Sequence, residues 1–484
     1  MKKLNWLDLI KINLFWLVIN IRNNAVNVFM PFLVVLFVSP ESKNSALGGI
    51  RTAGLVIAML VQPAMGLLSD RSTSRFGRRR PFLLAGVLFD LVFLALIAVS
   101  TNFWMLLVAV LLIQFSGNTS HGALQGLIPD MVPEEQRGAA SGFKGIMELL
   151  PLILVSLLIA GMVGAGQFTL AVVLTGAMML VFAVISLVWV RETPLAEKPQ
   201  TPIKPAMLRV LGMLLGVVTG GVVGLAVGGI LGGLLWLALR PFLGDQTARI
   251  AGFSLGGLAA MVTAVAAGTT AGIAATLGRD ALRTRRPFAW WVANRLLYFA
   301  ALTSIQLFVM NFLMYAFGVD SQQAVAMMGK LMTMVGLFTL VSALPSGWIA
   351  DRIGARQIAF WAGLLAAAGT VLILVMVWAP SLVLLYAAGI ILGISAGLFT
   401  TSNWALGTEL VPAAEAGRYL GISNLAGAGA GMIGTGLGGP LADVLNGIQP
   451  GLGYFILFAI FVVFFALSAL TLRGIPRASS GPLR

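Results

Sequence analysis

Ionisable side chains are scarce in this 484-residue chain, so those falling inside apolar runs are the first candidates for chemistry. Arg22 and Glu148 each sit about ten residues into such a run, about 15 Å deep in a helix rising 1.5 Å per residue. Arg295, Asp90 and His121 lie in similar surroundings. A charge inside hydrocarbon is costly unless it pairs or serves a pathway. Equal depth predicts an Arg22–Glu148 pair. A solute competing for Arg22 would then link its own binding to proton uptake by Glu148; a permanent structural ion pair is the alternative. Asp90 is expected to pair with a neighbour or to serve as a second proton carrier. His121, the sole histidine, is suited to relaying a proton or to a structural role.

A second concentration of charge is GLLSDRSTSRFGRRRP, residues 66–81, where six of sixteen side chains are ionised. An Asp at a helix end, followed by Arg residues in a glycine turn, can build a charge-assisted network against neighbouring helix ends. Topology and attraction to anionic headgroups explain the Arg residues alone. The pattern recurs: Asp70 and Arg71 are echoed by Asp351 and Arg352 in GWIADRIGARQ, 347–357. PDMVPEEQRGAASG, 129–142, matches TELVPAAEAGRYLG, 408–421, setting Asp130 opposite Glu409. The two separations are 281 and 279 residues, which predicts an internal repeat. Asp70, Arg71, Arg78, Arg79, Asp130, Arg137, Asp351, Arg352 and Glu409 are the gating candidates.

The elements that must carry these groups follow from composition. The chain is 59% hydrophobic and 10% charged, with a mean hydropathy of +0.97. That excludes an ordinary soluble domain. Apolar runs long enough to span a bilayer as helices are placed at 12–38, 46–69, 81–100, 103–126, 138–163, 167–190, 207–239, 250–278, 289–317, 323–350, 357–379, 381–407, 417–443 and 452–472. A proline-rich linker, ETPLAEKPQTPIKP, occupies 192–205. Fourteen crossings put both termini on one side. Lys and Arg crowd alternate loops, leaving Lys43, Arg240 and Arg249 opposite, so the termini are expected to be cytoplasmic in a plasma-membrane protein. The same rule accounts for the net charge of +14 without a nucleic-acid partner. Without cysteine there is no thiol or disulfide chemistry. No cleavable leader, P-loop, metal or cofactor is expected, and the chain is read as a non-enzyme.

Two helices between the halves carry small residues every fourth position. Gly212, Gly216, Gly220, Gly224, Gly228 and Gly232 face the expected complement Gly252, Gly256, Ala260, Ala264, Gly268 and Gly272. Such stripes permit close backbone approach, within the hairpin or against a second copy or membrane partner. The resulting plan is an all-α polytopic protein. An N-terminal six-helix half spans 1–195, a linker and glycine-rich hairpin 196–287, a C-terminal six-helix half 288–475, and a tail 476–484.

The glycine–Asp–Arg loop and its echo resemble the signature loop of the major facilitator superfamily. VQPAMGLLSDRSTSRFGRRRPF, 61–82, and GLIPDMVPEEQRGAASG, 126–142, resemble the sucrose-symporter branch of the glycoside–pentoside–hexuronide:cation group. The resemblance implies a secondary transporter working by alternating access on a sugar or similar polar solute, coupled to protons. Ala58 and Gln62 stand where sodium-coupled members of that group carry Asp, and Gln125 where the plant symporters carry Arg. Polar side chains gather on every third helix, which predicts a lined interior cavity. Its expected substrate-binding residues are Asn20, Arg22, Asn23, Asn27, Asn118, His121, Gln125, Arg295, Tyr298, Gln306, Asn403 and Trp404. An exporter of amphipathic compounds and a non-transporting assembly factor on the same fold are the rival readings.

Overall fold

The computed structural model describes residues 3–190, 192, 204–410 and 416–476. The linker at 193–203, the tail from 477 and the side chain of Asp351 lie outside the described residues.

The chain is all-α, and no strand occurs among the described residues. In order, the helices are α1 Trp6–Phe37, α2 Lys43–Ser69, α3 Arg80–Ala98, α4 Phe103–Leu124, the short α5 Leu127–Met131, α6 Arg137–Leu154 and α7 Ala160–Gly164. There follow α8 Phe168–Trp189, α9 Lys204–Leu243, α10 Asp245–Leu277, the short α11 Ala281–Thr284, α12 Arg286–Phe317, α13 Ser321–Ile353, α14 Ala355–Val375, α15 Leu382–Leu410, α16 Ala416–Ile448 and α17 Leu452–Thr471. Thirteen spans among the described residues are long and apolar enough to cross a membrane. α16, at 33 residues, has comparable length.

Local chemistry sets the helix ends. α1 begins at a reciprocal cap: Asp8 N–H donates to Asn5 Oδ1 at 2.8 Å, and Asn5 N–H donates to Asp8 Oδ2. α6 and α7 are one rod interrupted at Val155–Ile159, where the backbone winds one residue wider just after Pro151. α9 and α10 are separated by Gly244 alone, at φ 78°, a left-handed backbone that glycine adopts without a Cβ clash.

The helices group into two compact units. The first comprises Met1–Ser39, Ala53–Val210 and Gly318–Gly336. Within it α1 packs on α6 and α8, and α3 on α4. The second comprises Pro40–Thr52, Leu211–Phe317 and Leu337–Arg484. There α14 packs on α15 and α17, and α12 on α16 and α17. Phe458, Phe461, Phe464 and Phe465 of α17 are fully buried in that core.

The two glycine stripes meet inside the hairpin. A Cβ added at Gly216 would lie 2.7 Å from Gly272, and one at Gly220 would lie 2.6 Å from the Ala264 carbonyl. α10 in turn packs on α16, and a Cβ at Gly257 would strike Leu441. An apolar groove of about 710 Å³ runs along that junction, between Gly228 and Trp236 on one wall and Leu437 and Leu441 on the other. None of the interior ionisable groups discussed below lines it. Adjacent glycines should therefore respond oppositely. Gly220→Ala should destabilise the detergent-solubilised protein by about 1–3 kcal/mol through overpacking. Gly221→Ala, with nothing within 4 Å of the new methyl, should be neutral or gain about 0.5–1 kcal/mol from helix propensity. Thermal unfolding of the two variants checks the sign.

Candidate functional site

In the first unit α1, α3 and α4 enclose an ion pair. Arg22 Nε lies 3.8 Å from Asp90 Oδ2, and both side chains are almost fully buried. Arg22 Nη1 donates to the Ile113 carbonyl at 2.6 Å, and Nη2 to Asn23 Oδ1 at 2.7 Å. Asp90 Oδ1 accepts from the Ser116 hydroxyl. Glycine makes the room, since a Cβ at Gly117 would overlap the Arg22 guanidinium. The expected Arg22–Glu148 pair is not formed. Glu148 instead accepts from Lys144 at 3.5 Å, one turn back on α6. Equal depth did not imply a shared azimuth, and an i,i+4 neighbour on the same helix was within reach. Asp90, on α3, is the partner of Arg22.

Trp16 connects the groups on α6 to α4. The Lys144 ammonium sits 4.2 Å from its ring, and His121 meets it edge-on at 5.4 Å. Of the other polar candidates in this unit, Asn20 and Asn118 donate to carbonyls of their own helices, Trp16 and Gln114. Asn27 is exposed on α1, and Gln125 is exposed just past the end of α4.

The signature loop forms a network inside the same unit. Arg79 Nε donates to Asp130 Oδ2 and Nη2 to Asp70 Oδ1, each at 2.6 Å. Nη1 donates to Ser69 Oγ at 3.0 Å and to the Ala123 carbonyl at 3.2 Å. Arg78 reaches the same two carboxylates, at 2.5 Å from Asp130 and 3.8 Å from Asp70. The ends of α2, α4 and α5 are thereby tied to the start of α3. Arg137 donates to the Pro129 carbonyl beside this network. Glu192, beyond α8, was not anticipated. Its Oε2 accepts from the Arg79 backbone N–H at 2.7 Å and from that of Arg80 at 3.3 Å. The carboxylate caps α3, whose four leading N–H groups lack helical acceptors. The available signal was a lone acid following an apolar run. In the second unit the echo looks different: Arg352 stacks on Trp348 at 3.8 Å, and Glu409 is exposed.

That second unit carries its own polar cluster around α12. Arg295 Nη1 donates to Asn403 Oδ1 at 2.9 Å, and Asn403 Nδ2 donates to Asn294 Oδ1 at 2.7 Å. The guanidinium lies 4.8 Å from the Phe299 ring and 5.9 Å from that of Trp404. Trp404 is 44% exposed. Gln306 is half-buried on the same helix. Tyr298 does not line a cavity: it is fully buried, stacked 3.5 Å from Phe399, and its hydroxyl pairs with Ser395 at 2.6 Å. Its ring volume fills the α12–α15 interface, so it belongs to the core. Asn403 is equally buried and positions Arg295 through its amide oxygen.

A further network escaped the sequence reading. Asp443 Oδ2 accepts from Ser45 N–H at 2.6 Å, while Oδ1 accepts from Asn44 Nδ2 at 2.8 Å and Asn44 N–H at 3.3 Å. Asn311 Nδ2 completes it on Asn44 Oδ1 at 2.8 Å. A carboxylate on α16 thus caps the start of α2, nearly 400 residues away in sequence.

The family model of the Major Facilitator Superfamily matches residues 15–319 and 296–484. Sucrose transport protein SUT1 of Oryza sativa subsp. japonica is 29% identical over 110 residues, covering 18% of this chain and 20% of the relative. Sucrose transport protein SUC3 of Arabidopsis thaliana is 27% identical over 110 residues, 18% of each chain. The chain thus aligns with about a fifth of the length of these relatives. Among solved structures, the nucleoside transporter NupG superposes with a TM-score of 0.62 at 13% identity, covering 96% of this chain and 99% of that one. A peptide transporter POT superposes with a TM-score of 0.65 at 15% identity, covering 98% of each. At these identities the structures share the fold.

Proposed function

The chain belongs to the Major Facilitator Superfamily, and from that premise we propose that it is a secondary active transporter. It moves a polyhydroxylated solute such as a sugar or glycoside, by alternating access between two repeat-related six-helix halves, 1–195 and 288–475. The glycine hairpin between them lies within the second unit, against α16, and takes no part in the solute path. The basic loops favour cytoplasmic termini, and on this reading the chain sits in the plasma membrane. The observation carrying this reading is the set of charged and amide side chains held inside spanning helices, from Arg22 and Asp90 to Arg295 and Asn403. Intramembrane groups of that kind mark solute and ion paths. The stretches similar to sucrose transporters and the exposed Trp404 ring, a flat apolar surface for a sugar face, favour that solute class.

Proton coupling is assigned to Glu148. Its carboxylate and Lys144 are each about one-third exposed, the most accessible ion pair among the described interior groups of the first unit. A solute hydroxyl that displaces Lys144 would leave Glu148 to take a proton, linking the two events. Purified protein in proteoliposomes should accumulate a labelled sugar or glycoside from a panel when a proton gradient is imposed. Glu148→Gln should abolish accumulation and keep solute exchange. Accumulation that survives this substitution moves the role to Asp90 or His121. No movement of any panel member in either direction overturns transport and leaves an assembly role for the fold.

A further inference from the structure

Two of the guanidinium groups inside the spanning helices, Arg22 and Arg295, differ in their counter-charge. Arg22 faces the Asp90 carboxylate. Arg295 faces none among the described residues: its one acceptor is the neutral Asn403 amide oxygen, at Nη1. Its Nε is buried and makes no hydrogen bond. Aromatic rings of Phe299 and Trp404 cover the guanidinium at 4.8 and 5.9 Å. Arg295 lies nine residues into α12, about 14 Å along its axis. An arginine keeps its charge in such surroundings, and a cation there without a counter-anion is costly. Asn403 accepts from Nη1, which leaves the buried Nε side of the fork without an acceptor among the described residues. That edge, two parallel N–H donors, matches a carboxylate in bidentate geometry.

We infer that Arg295, oriented by Asn403 and flanked by Trp404, is the receptor for a carboxylate on the transported solute. The inference rests on the transport reading above and narrows it. The solute carries one carboxylate for the unpaired Nε edge, and an apolar face for the exposed Trp404 ring. Its anionic charge supplies the counter-ion that the fold gives to Arg22 and withholds from Arg295.

Three probes of matched size test this: gluconate, its neutral amide gluconamide, and the polyol glucitol. Binding to the full-length protein in detergent, read as a thermal shift and as calorimetric affinity, should favour gluconate over both neutral probes by at least about tenfold, as expected for hydrogen bonds to a charged partner. Arg295→Gln should bring the gluconate-to-gluconamide ratio near one. Arg295→Lys, which keeps the charge and loses the fork, should retain only part of the preference. Equal affinity of the unmodified protein for the three probes overturns the inference, and needs no variant that must fold. So does an Arg295→Gln protein that keeps the full ratio. Proteoliposome uptake separates this inference from the broader reading. Transport of neutral glycosides without preference for the acid removes the carboxylate receptor and leaves transport standing. Arg295-dependent gluconate binding without movement of any solute does the reverse.

Discussion

Asp90→Asn is expected to destabilise the folded protein by about 3–5 kcal/mol, because it leaves Arg22 charged and buried without its counter-ion. The substitution is nearly isosteric. The Asn side chain fits where the Asp did and keeps an oxygen for the Ser116 hydroxyl, so packing changes little and the loss reports charge. Arg22 has no escape to water, since its side chain is 3% exposed. It also cannot swing toward α4, where Gly117 already touches it in place of a larger residue. The remaining donors, to the Ile113 carbonyl and Asn23, satisfy hydrogen bonds without neutralising the charge. The double variant Arg22→Met with Asp90→Leu should recover most of the loss, because removing both charges removes the desolvation of both. Thermal unfolding of Arg22→Met, Asp90→Leu and the double variant closes a cycle with a coupling of opposite sign to the single effects. If Asp90→Asn unfolds at the same temperature as the unmodified protein, the pair does not carry the charge of Arg22.

The fold was legible because spanning helices announce themselves by length and apolarity. Helix ends were legible only where chemistry marks them. Apolarity alone starts α1 at residue 12, whereas the Asn5–Asp8 cap begins it at Trp6. The hairpin was read with its faces correct, because a four-residue period fixes which side is small. Pairing of charges was not legible. Depth along a helix follows from counting residues, but azimuth depends on how each helix is rotated against its neighbours. Asp90 could have been suspected from the small residues around it: Gly86 on α3 lies against Ser116 and Ser120 of α4, a contact only a tight α3–α4 seam produces. Asp443 offered no such hint. Its partners, Asn44 and Ser45, follow the first helix of the chain, and only the tertiary fold brings them to α16.

Arg79→Lys is expected to lower transport per inserted molecule at least about tenfold while leaving topology intact. Lysine is as good a topological charge as arginine, so orientation by the positive loop is unchanged. What it lacks is the fork. All three guanidinium nitrogens of Arg79 are in use: Nε on Asp130, Nη2 on Asp70, and Nη1 on Ser69 and the Ala123 carbonyl. A single ammonium can serve one of these directions at a time. The site has no slack to let it wander, because Arg79 is 4% exposed and a Cβ at Gly126 would overlap its guanidinium. The contrast is Arg75→Lys. Arg75 touches the Phe76 ring at 4.9 Å from an exposed part of the same loop, and its replacement should change little. A pure topology role predicts equal, small effects at both positions; a structural network predicts a large one at Arg79 alone. Because every described partner of Arg79 lies within the first unit, the network sets the register of α2, α3 and α4 against one another. Its loss should therefore appear as reduced thermal stability, by about 2–4 kcal/mol, together with the transport defect. A transport defect without any change in stability would mean that the network acts on the conformational equilibrium instead, latching one state of the cycle.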